Sequence, residues 1–158
     1  MDYLWSPWRF QYVTKESKPA GCIFCTKPAE EKDEDNLIFF RGAYNFGILN
    51  LYPYTSGHLM IVPYRHAATL NEISTEAAAE LMDLTRRAES VLFEVYRPRG
   101  INVGMNIGEC AGAGIAGHIH MHVLPRWPGD GNFMTVIGET RVLVEDIRVT
   151  FEKLKKAF

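Results

Sequence analysis

Two short segments with alternating apolar residues constrain the fold more than any other feature of this sequence. In residues 102–107 and 118–124 every second residue is apolar, which is the period of a β-strand with one buried face. Residues 52–57 are typical of a hairpin connection between two earlier strands. Segments rich in aromatic and β-branched residues predict three such earlier strands, over residues 37–41, 44–50 and 58–62. The sequence therefore predicts about five strands.

One long helix is predicted between the third and fourth strands. Ser74 suits the N-cap position, and apolar residues recur at helical spacing through 75–96 until Pro98 and Gly100 end the pattern. A second apolar stripe predicts a closing helix over residues 145–157. Hairpin-linked strands with a helix between them indicate an α+β fold built on an antiparallel sheet.

The organisation of the chain indicates a single domain over residues 1–158, because no internal repeat and no linker composition interrupts it. Residues 1–20 carry aromatic side chains without a clear period, which predicts an irregular arm packed on the body or on a partner subunit. The acidic run at residues 30–35 predicts a solvated loop or turn.

Composition argues against two classes of partner. The chain has 17 basic and 19 acidic residues, and a net charge of −2 does not suit a protein that grips nucleic acid by its phosphates. No stretch approaches the roughly 18 consecutive apolar residues that a membrane span needs. The first residues lack the pattern of a secretory signal. We therefore expect a cytoplasmic protein without a nucleic-acid or membrane partner.

Three histidines at alternate positions, His118, His120 and His122, share one face of the last predicted strand. Two alternatives are a surface strand that happens to be rich in histidine and a metal-dependent hydrolase with zinc on His118 and His120. Four strand rises span about 13 Å, so one ion cannot bind all three rings and each ring needs its own task. The glycine-rich loop before them can present backbone N–H groups to an anion. An anion held beside a neutral imidazole suits nucleophilic attack on phosphorus.

This spacing of histidines, with apolar residues between them, resembles the signature of the histidine triad (HIT) family of nucleotide hydrolases and transferases. Asn50, the pair Gly57-His58 and Asn106 resemble the other half of the family's pocket. The chain as a whole is similar to the microbial branch of diadenosine tetraphosphate phosphorylases, notably in residues 4–7, 50–54 and 131–134. The resemblance implies an HIT-like fold and a nucleotide substrate.

The resemblance also implies roles for individual residues. His120 would attack the α-phosphorus and form a nucleotidyl-histidine, while its other ring nitrogen donates to a backbone carbonyl. His122 would assist the leaving group, and His118 completes the catalytic row. Asn50 would bind the ribose. His58 is counted with the nucleotide-binding residues, and we expect it to support that pocket through a hydrogen bond to a neighbouring backbone group rather than to act on the substrate.

The phosphate and the base would be held by further residues that the resemblance implies. Asn106 would bind non-bridging oxygens together with backbone N–H groups of the loop residues Gly112, Ala113 and Gly114. Candidates for the base pocket are Phe24, Ile48 and Leu49. Relatives often carry Gln or Ser at the positions of Gly114 and Ile115, and this departure leaves the leaving group and the acceptor open.

The pair Cys22 and Cys25 has the two-residue spacing that lets both sulfurs reach one tetrahedral zinc ion. His66 and His118 are available as the third and fourth ligands, and the resemblance to zinc-containing relatives supports that set. Two buried free thiols and a redox pair are the alternatives. Four protein ligands leave no open position for a substrate, so the zinc would be structural. We expect no organic cofactor, and Cys110 is interpreted as a loop residue without a role.

These interpretations predict a nucleotidyl transferase or hydrolase that splits a dinucleoside polyphosphate such as diadenosine tetraphosphate, with phosphorolysis favoured over hydrolysis. A nucleoside phosphoramidase and a nucleotide-binding regulatory protein with weak turnover are the alternatives. We also expect a homodimer, because exposed sheet edges and an aromatic arm leave apolar surface in water. In that dimer, residues 131–134 would lie near a nucleotide site of the same or the partner subunit.

Overall fold

The computed structural model describes residues 21–131 and 143–158. The arm predicted over residues 1–20 and all but the first residue of 131–134 lie outside this described part. The elements follow one another as α1 (Ile23–Ala29), α2 (Asp33–Asn36), β1 (Ile38–Arg41), β2 (Asn45–Leu49), β3 (Leu59–Pro63), α3 (Thr75–Tyr96), β4 (Gly100–Met105), β5 (Met121–Arg126) and α4 (Ile147–Ala157). Short 3₁₀ turns at Leu70–Glu72 and Glu109–Ala111 precede α3 and β5, respectively.

The five strands form one antiparallel sheet in the order β1-β2-β3-β5-β4. Strands β2 and β3 form the predicted hairpin, in which Leu49 faces Leu59. Strand β5 lies between β3 and β4, so that His122 pairs with Met60 on one side and with Gly104 on the other. The sheet, the long helix and the C-terminal helix confirm the predicted α+β fold.

Alternate residues of the strands divide the core into two clusters on opposite faces of the sheet. In β3, Leu59 and Ile61 pack into the cluster beneath α3 and α4, whereas Met60 and Val62 pack into the cluster beneath α1. The second cluster is completed by Phe24 of α1. Both faces of the sheet are therefore buried, one beneath α3 and α4 and the other beneath α1.

Helix α3 begins as the sequence predicts. The Ser74 hydroxyl accepts a hydrogen bond from the Ala77 N–H at 3.2 Å. Later in the helix, the Glu80 carboxylate accepts 2.7 Å hydrogen bonds from the backbone N–H groups of Ala43 and Tyr44. This charged acceptor ties the β1–β2 connection to the helix. Among the described residues, none of the helices combines the length and the apolar character that a membrane span requires.

The structure corrects the prediction for the acidic run, part of which forms helix α2 instead of a loop. Three acidic side chains lie in the first turn of this helix, where the positive end of the helix dipole favours them. The sequence pattern does not predict helix α1, because this helix spans only seven residues and contains a proline, Pro28.

The last two strands begin and end at other residues than predicted. Strand β4 is Gly100–Met105 instead of 102–107, and β5 is Met121–Arg126 instead of 118–124. Residues 118–120 precede β5, because the N–H of Ile119 donates to the Ala67 carbonyl at 2.8 Å and not to a neighbouring strand. The predicted alternation of faces nevertheless holds, since Ile119 and Val123 are buried away from the histidine face.

Candidate active site and metal centre

Four histidines lie together on the α1 side of the sheet. His118, His120 and His58 are buried, with exposed fractions of 0%, 5% and 1%, and His122 is half-buried. The ring centroids of His120 and His122 are 4.8 Å apart, and those of His58 and His122 are 5.1 Å apart. The structure therefore brings the predicted histidine row and His58 into one cluster.

The His120 ring has a defined tautomer. Its Nδ1 lies 2.9 Å from the carbonyl oxygen of His118, and because a carbonyl can only accept, Nδ1 carries the proton. Burial lowers the pKa of His120 and so favours the neutral ring. In the neutral ring the lone pair is on Nε2, which makes this atom the nucleophilic one.

His122 is oriented by a chain of two hydrogen bonds that starts at the backbone. The Tyr54 N–H donates to Nδ1 of His58 at 3.1 Å, so the proton of neutral His58 is on Nε2. This Nε2–H donates to Nδ1 of His122 at 3.0 Å. The remaining nitrogen of His122, Nε2, then carries its proton and is a hydrogen-bond donor. Burial and, second, repulsion from the protonated form of His120 lower the pKa of His122 to about 4, so its ring is neutral at pH 7.

The residues predicted to surround the base are divided between the two faces of the sheet. Phe24 and Ile48 pack together in the cluster on the histidine side. Leu49, the next residue of β2, points to the other face and packs beneath α3. The Phe24 ring contacts the rings of both His118 and His120.

The ribose candidate, Asn50, follows β2 and lies beside the histidine cluster. Its Oδ1 accepts a hydrogen bond from the Tyr52 N–H at 3.0 Å, and its Nδ2 lies 3.5 Å from the His58 ring. The side chain is half-buried and close to His58. Its contact with a ribose stays a prediction.

The glycine-rich loop is closed by its own hydrogen bonds. Gly112 has a φ of 86°, and its N–H donates to the Glu109 carbonyl at 2.9 Å. The Ala113 N–H donates to the Gly108 carbonyl at 3.4 Å. Asn106 Nδ2 donates to the Gly112 carbonyl at 3.4 Å, so this side chain braces the loop. Binding of phosphate by Asn106 and by the N–H groups of Gly112, Ala113 and Gly114 stays a prediction.

Ile115 gives the departure from the family's polar pattern a physical explanation. Its side chain packs against the apolar cluster that contains Phe24. An apolar residue here attaches the end of the loop to the core beside the histidines.

Cys22, Cys25, His66 and His118 form a cluster able to hold a metal ion, with all four ligand atoms within 4.8 Å of one another. The Cys22 sulfur lies 3.3 Å from Nδ1 of His118, and the Cys25 sulfur lies 3.4 Å from Nδ1 of His66. Bonds of about 2.3 Å to sulfur and about 2.0 Å to nitrogen place neighbouring ligands of a tetrahedral zinc about 3.5 Å apart. These donors therefore fit a tetrahedral ion of the zinc type.

The surroundings of the cluster favour a cation. His118 donates its Nε2–H to the Pro63 carbonyl at 2.8 Å, which leaves the Nδ1 lone pair directed at the two sulfurs. Burial and, second, the neighbouring Cys22 raise the pKa of Cys25. A bound cation offsets the repulsion between two thiolates. Cys110 is exposed and is not a member of this cluster.

Sequence reasoning missed the backbone groups that orient the histidines. The N–H of Tyr54 and the carbonyl of Pro63 set the tautomers of His58 and His118. Backbone groups have no residue-specific signal, so no sequence pattern could identify them. The aromatic character of Phe24 between the two cysteines was visible, but its contact with His120 depends on helix α1.

Comparisons with known proteins agree with the site. The HIT domain profile matches residues 31–129. The chain is 42% identical over 157 residues to an AP-4-A phosphorylase of Mycobacterium tuberculosis, which covers 95% of this chain and 80% of that protein. It is 31% identical over 119 residues to the adenosine 5′-monophosphoramidase of Saccharomyces cerevisiae, covering 72% and 70% of the two chains.

A solved structure supports the same assignment. The crystal structure of a Zn-bound histidine triad family protein from Mycobacterium smegmatis superposes with a TM-score of 0.70 at 25% identity, covering 87% of this chain and 92% of that one. The resemblance seen in the sequence is thereby confirmed. The chain belongs to the histidine triad (HIT) domain family.

Proposed function

We propose that this protein splits a dinucleoside polyphosphate, such as diadenosine tetraphosphate, by transferring a nucleoside monophosphate to His120 and then to inorganic phosphate. The observation that carries the proposal is the hydrogen bond from His120 Nδ1–H to the His118 carbonyl, which leaves Nε2 as the nucleophile. The lowered pKa of His120 supports it, since only the neutral ring has a lone pair to donate.

In the first step, Nε2 of His120 attacks the α-phosphorus and a phosphorus–nitrogen bond forms. The bond from this phosphorus to the bridging oxygen breaks, and the oxygen takes both electrons. For diadenosine tetraphosphate the leaving group is ATP. His122 Nε2–H donates a hydrogen bond to the departing oxygen, and the Nδ1–H of His120 stays bonded to the His118 carbonyl. The positive charge of the substituted ring is stabilised by that carbonyl.

In the second step, an oxygen of phosphate attacks the same phosphorus and the phosphorus–nitrogen bond breaks. His120 recovers its lone pair, and the product is ADP. Water in place of phosphate would give AMP. The similar mycobacterial protein is an AP-4-A phosphorylase, which favours phosphate as the acceptor.

Zinc is the proposed ion of the metal centre, held by Cys22, Cys25, His66 and His118. When bound, the ion supplies a closed structural crosslink and charge compensation for the two thiolates, and four protein ligands leave no position for substrate. The Zn-bound mycobacterial neighbour supports this choice of metal. The chemistry of transfer belongs to the histidines.

A nucleoside phosphoramidase is the second candidate, because the yeast relative is an adenosine 5′-monophosphoramidase. The same attack by His120 would break a phosphorus–nitrogen bond in the substrate. An amine leaving group needs a proton, which the Nε2–H of His122 could deliver. The two candidates therefore share their nucleophile and differ in their leaving group.

Product analysis tests the proposal. With diadenosine tetraphosphate and phosphate we expect ADP and ATP in equal amounts, and omission of phosphate should slow consumption of the dinucleotide sharply. AMP and ATP at an unchanged rate would identify a hydrolase instead. Faster turnover of adenosine 5′-phosphoramidate than of the dinucleotide would favour the second candidate. A His120→Asn preparation is the control for contaminating enzymes.

A further inference from the structure

Helix α1 carries the metal-site cysteines and one buried aromatic ring between them. Cys22 is the N-cap of the helix, Cys25 lies in its first turn, and Phe24 is only 2% exposed. The Phe24 ring centroid lies 5.5 Å from that of His118 in an edge contact, and 5.0 Å from that of His120. One side chain of this helix therefore contacts both a metal ligand and the nucleophile.

We propose that Phe24 is a positioning residue for His120, and that the metal centre holds it in place. The inference rests on the proposed role of His120 as the nucleophile. The hydrogen bond from Nδ1 to the His118 carbonyl fixes one atom of the imidazole but leaves the ring free to tilt about that atom. Contact with Phe24 restricts this tilt and keeps Nε2 aligned for attack, where a small misplacement slows transfer strongly.

The burial of Phe24 favours this role over that of a wall for the base. The ring packs in the apolar cluster of Phe46, Ile48 and Met60 as well as on the two histidines. With 2% of its surface exposed, Phe24 has little area left for contact with a nucleotide base.

The placement of helix α1 depends on its anchoring cysteines. The helix has seven residues, and its N-cap makes no side-chain hydrogen bond to the first turn. Helices this short are not stable by themselves in water. Ligation of Cys22 and Cys25 to a metal that is also bound by His118 therefore fixes α1, and with it Phe24, relative to the histidines.

The first test compares two buried phenylalanines. Phe24→Leu keeps all four metal ligands, and we expect zinc content to be unchanged while kcat falls about ten- to a hundredfold. KM and the Kd for AMP should change less than about twofold, because nucleotide contacts are retained. The matched control is Phe46→Leu, in the same cluster and 0% exposed, which stacks on Tyr64 and, among the described residues, makes no ring contact with His120. It should lose stability and keep its kcat.

A raised KM and Kd with unchanged kcat in Phe24→Leu would overturn the proposal and identify Phe24 as a wall of the base pocket. Equal losses of kcat in both variants would also overturn it, since general loosening of the cluster would then be the cause. Loss of turnover in His120→Asn checks the proposed function separately. If that variant is inactive and Phe24→Leu is fully active, only the positioning role fails.

The second test removes the metal from the wild-type protein with a chelator and restores it with zinc. The readout is the Nδ1–H proton of His120 by NMR, which should give a sharp signal in the loaded protein. We expect this signal to broaden in the metal-free protein and in loaded Phe24→Leu, and to return when zinc is added to the wild type. Metal removal should lower kcat less in Phe24→Leu than in the wild type, because removal of the metal and the substitution both release the contact between residue 24 and His120. A sharp Nδ1–H signal in folded metal-free protein would contradict the link between the metal centre and His120. If the metal-free protein unfolds, the zinc-loaded Phe24→Leu variant provides the test, and a sharp signal there would contradict the positioning role of Phe24.

Discussion

The Nε2 atom of His58 lies 3.0 Å from Nδ1 of His122, and the direction of this hydrogen bond is set by a backbone group. Because the Tyr54 N–H occupies Nδ1 of His58, the proton of His58 must lie between the two rings. His122 is thereby held as the tautomer with a proton on Nε2. The residue that prepares the proposed leaving-group donor lies 64 positions away in the sequence.

Replacement of His58 tests this chain of hydrogen bonds. We expect His58→Phe to lower kcat about tenfold or more, because His122 loses the donor that fixes its tautomer. His58→Gln can still donate an N–H and should retain more activity. Steady-state kinetics with diadenosine tetraphosphate and the Kd for AMP would separate turnover from binding. An unchanged kcat in His58→Phe would show that His122 needs no such support.

The proposed nucleophile is tested by His120→Asn. We expect kcat to fall by roughly a thousandfold or more, since the amide of Asn cannot form the phosphorus–nitrogen bond of the proposed intermediate. The unfolding temperature and the Kd for AMP should stay close to those of the wild type. Labelled dinucleotide, quenched within one turnover, should leave an acid-labile adduct on the wild type and none on the variant. Substantial activity in His120→Asn would exclude the covalent mechanism.

The sequence predicts much of the fold and of the histidine cluster. Alternation correctly places Ile119 and Val123, which lie next to His120 and His122, on the face of the sheet opposite the histidines. The Ser74 cap correctly marks the start of α3. Period alone could not predict where β5 begins, because the N–H of Ile119 bonds outside the sheet. Nor could it reveal tautomers, which depend on backbone groups such as the Pro63 carbonyl.

Metal content gives the next prediction. We expect about one zinc per chain in protein purified without a histidine tag, and its loss in both Cys25→Ala and His66→Ala. Loss of the ion should lower Tm by more than about 5 °C, because its binding energy contributes to folding. Thr26→Ala, an exposed change in the same helix, should keep the metal and serves as the control. Freshly prepared reduced protein without zinc would contradict this assignment.

The lowered pKa of His122 predicts a dependence of stability on pH. An unfolded imidazole titrates near 6.5, whereas the folded pKa is about 4, so the unfolded chain binds more protons in between. The stability that neutral His122 contributes is complete above about pH 6.5, decreases steadily as the pH falls below that value, and is fully lost once the pH has fallen through about 4. The loss is at most about 3 kcal/mol.

Comparison with His122→Asn isolates this effect from other titrations and from release of metal by acid. Denaturant titrations would give the unfolding free energy of both proteins. As the pH falls from 7 to 4.5, we expect the wild type to lose stability relative to the variant. A difference that stays constant over this range would contradict the lowered pKa. In the wild type, the acid limb of kcat/KM should lie well below pH 6.5.

The last prediction concerns assembly. Strand β4 is an edge of the sheet and has no strand partner on its outer side in the described part of the chain. Asn102, Val103 and Gly104 are exposed there, with Val103 at 48%, and Phe93 of α3 is also 43% exposed. Exposed apolar edges of this kind invite pairing with a second copy. We therefore propose a homodimer in which the β4 edges of two subunits meet across a twofold axis.

Light scattering at micromolar concentration should give twice the 18.0 kDa mass of one chain. Val103→Glu should shift the protein towards monomers, because it places two like charges at the interface. The matched control is Val149→Glu, a change of the same chemistry at a 47% exposed position of α4, a helix that packs near the opposite edge strand, β1. It should leave the mass unchanged. A wild-type monomer with full activity would exclude the dimer. If both variants dissociated, the result would contradict an interface formed by the β4 edges.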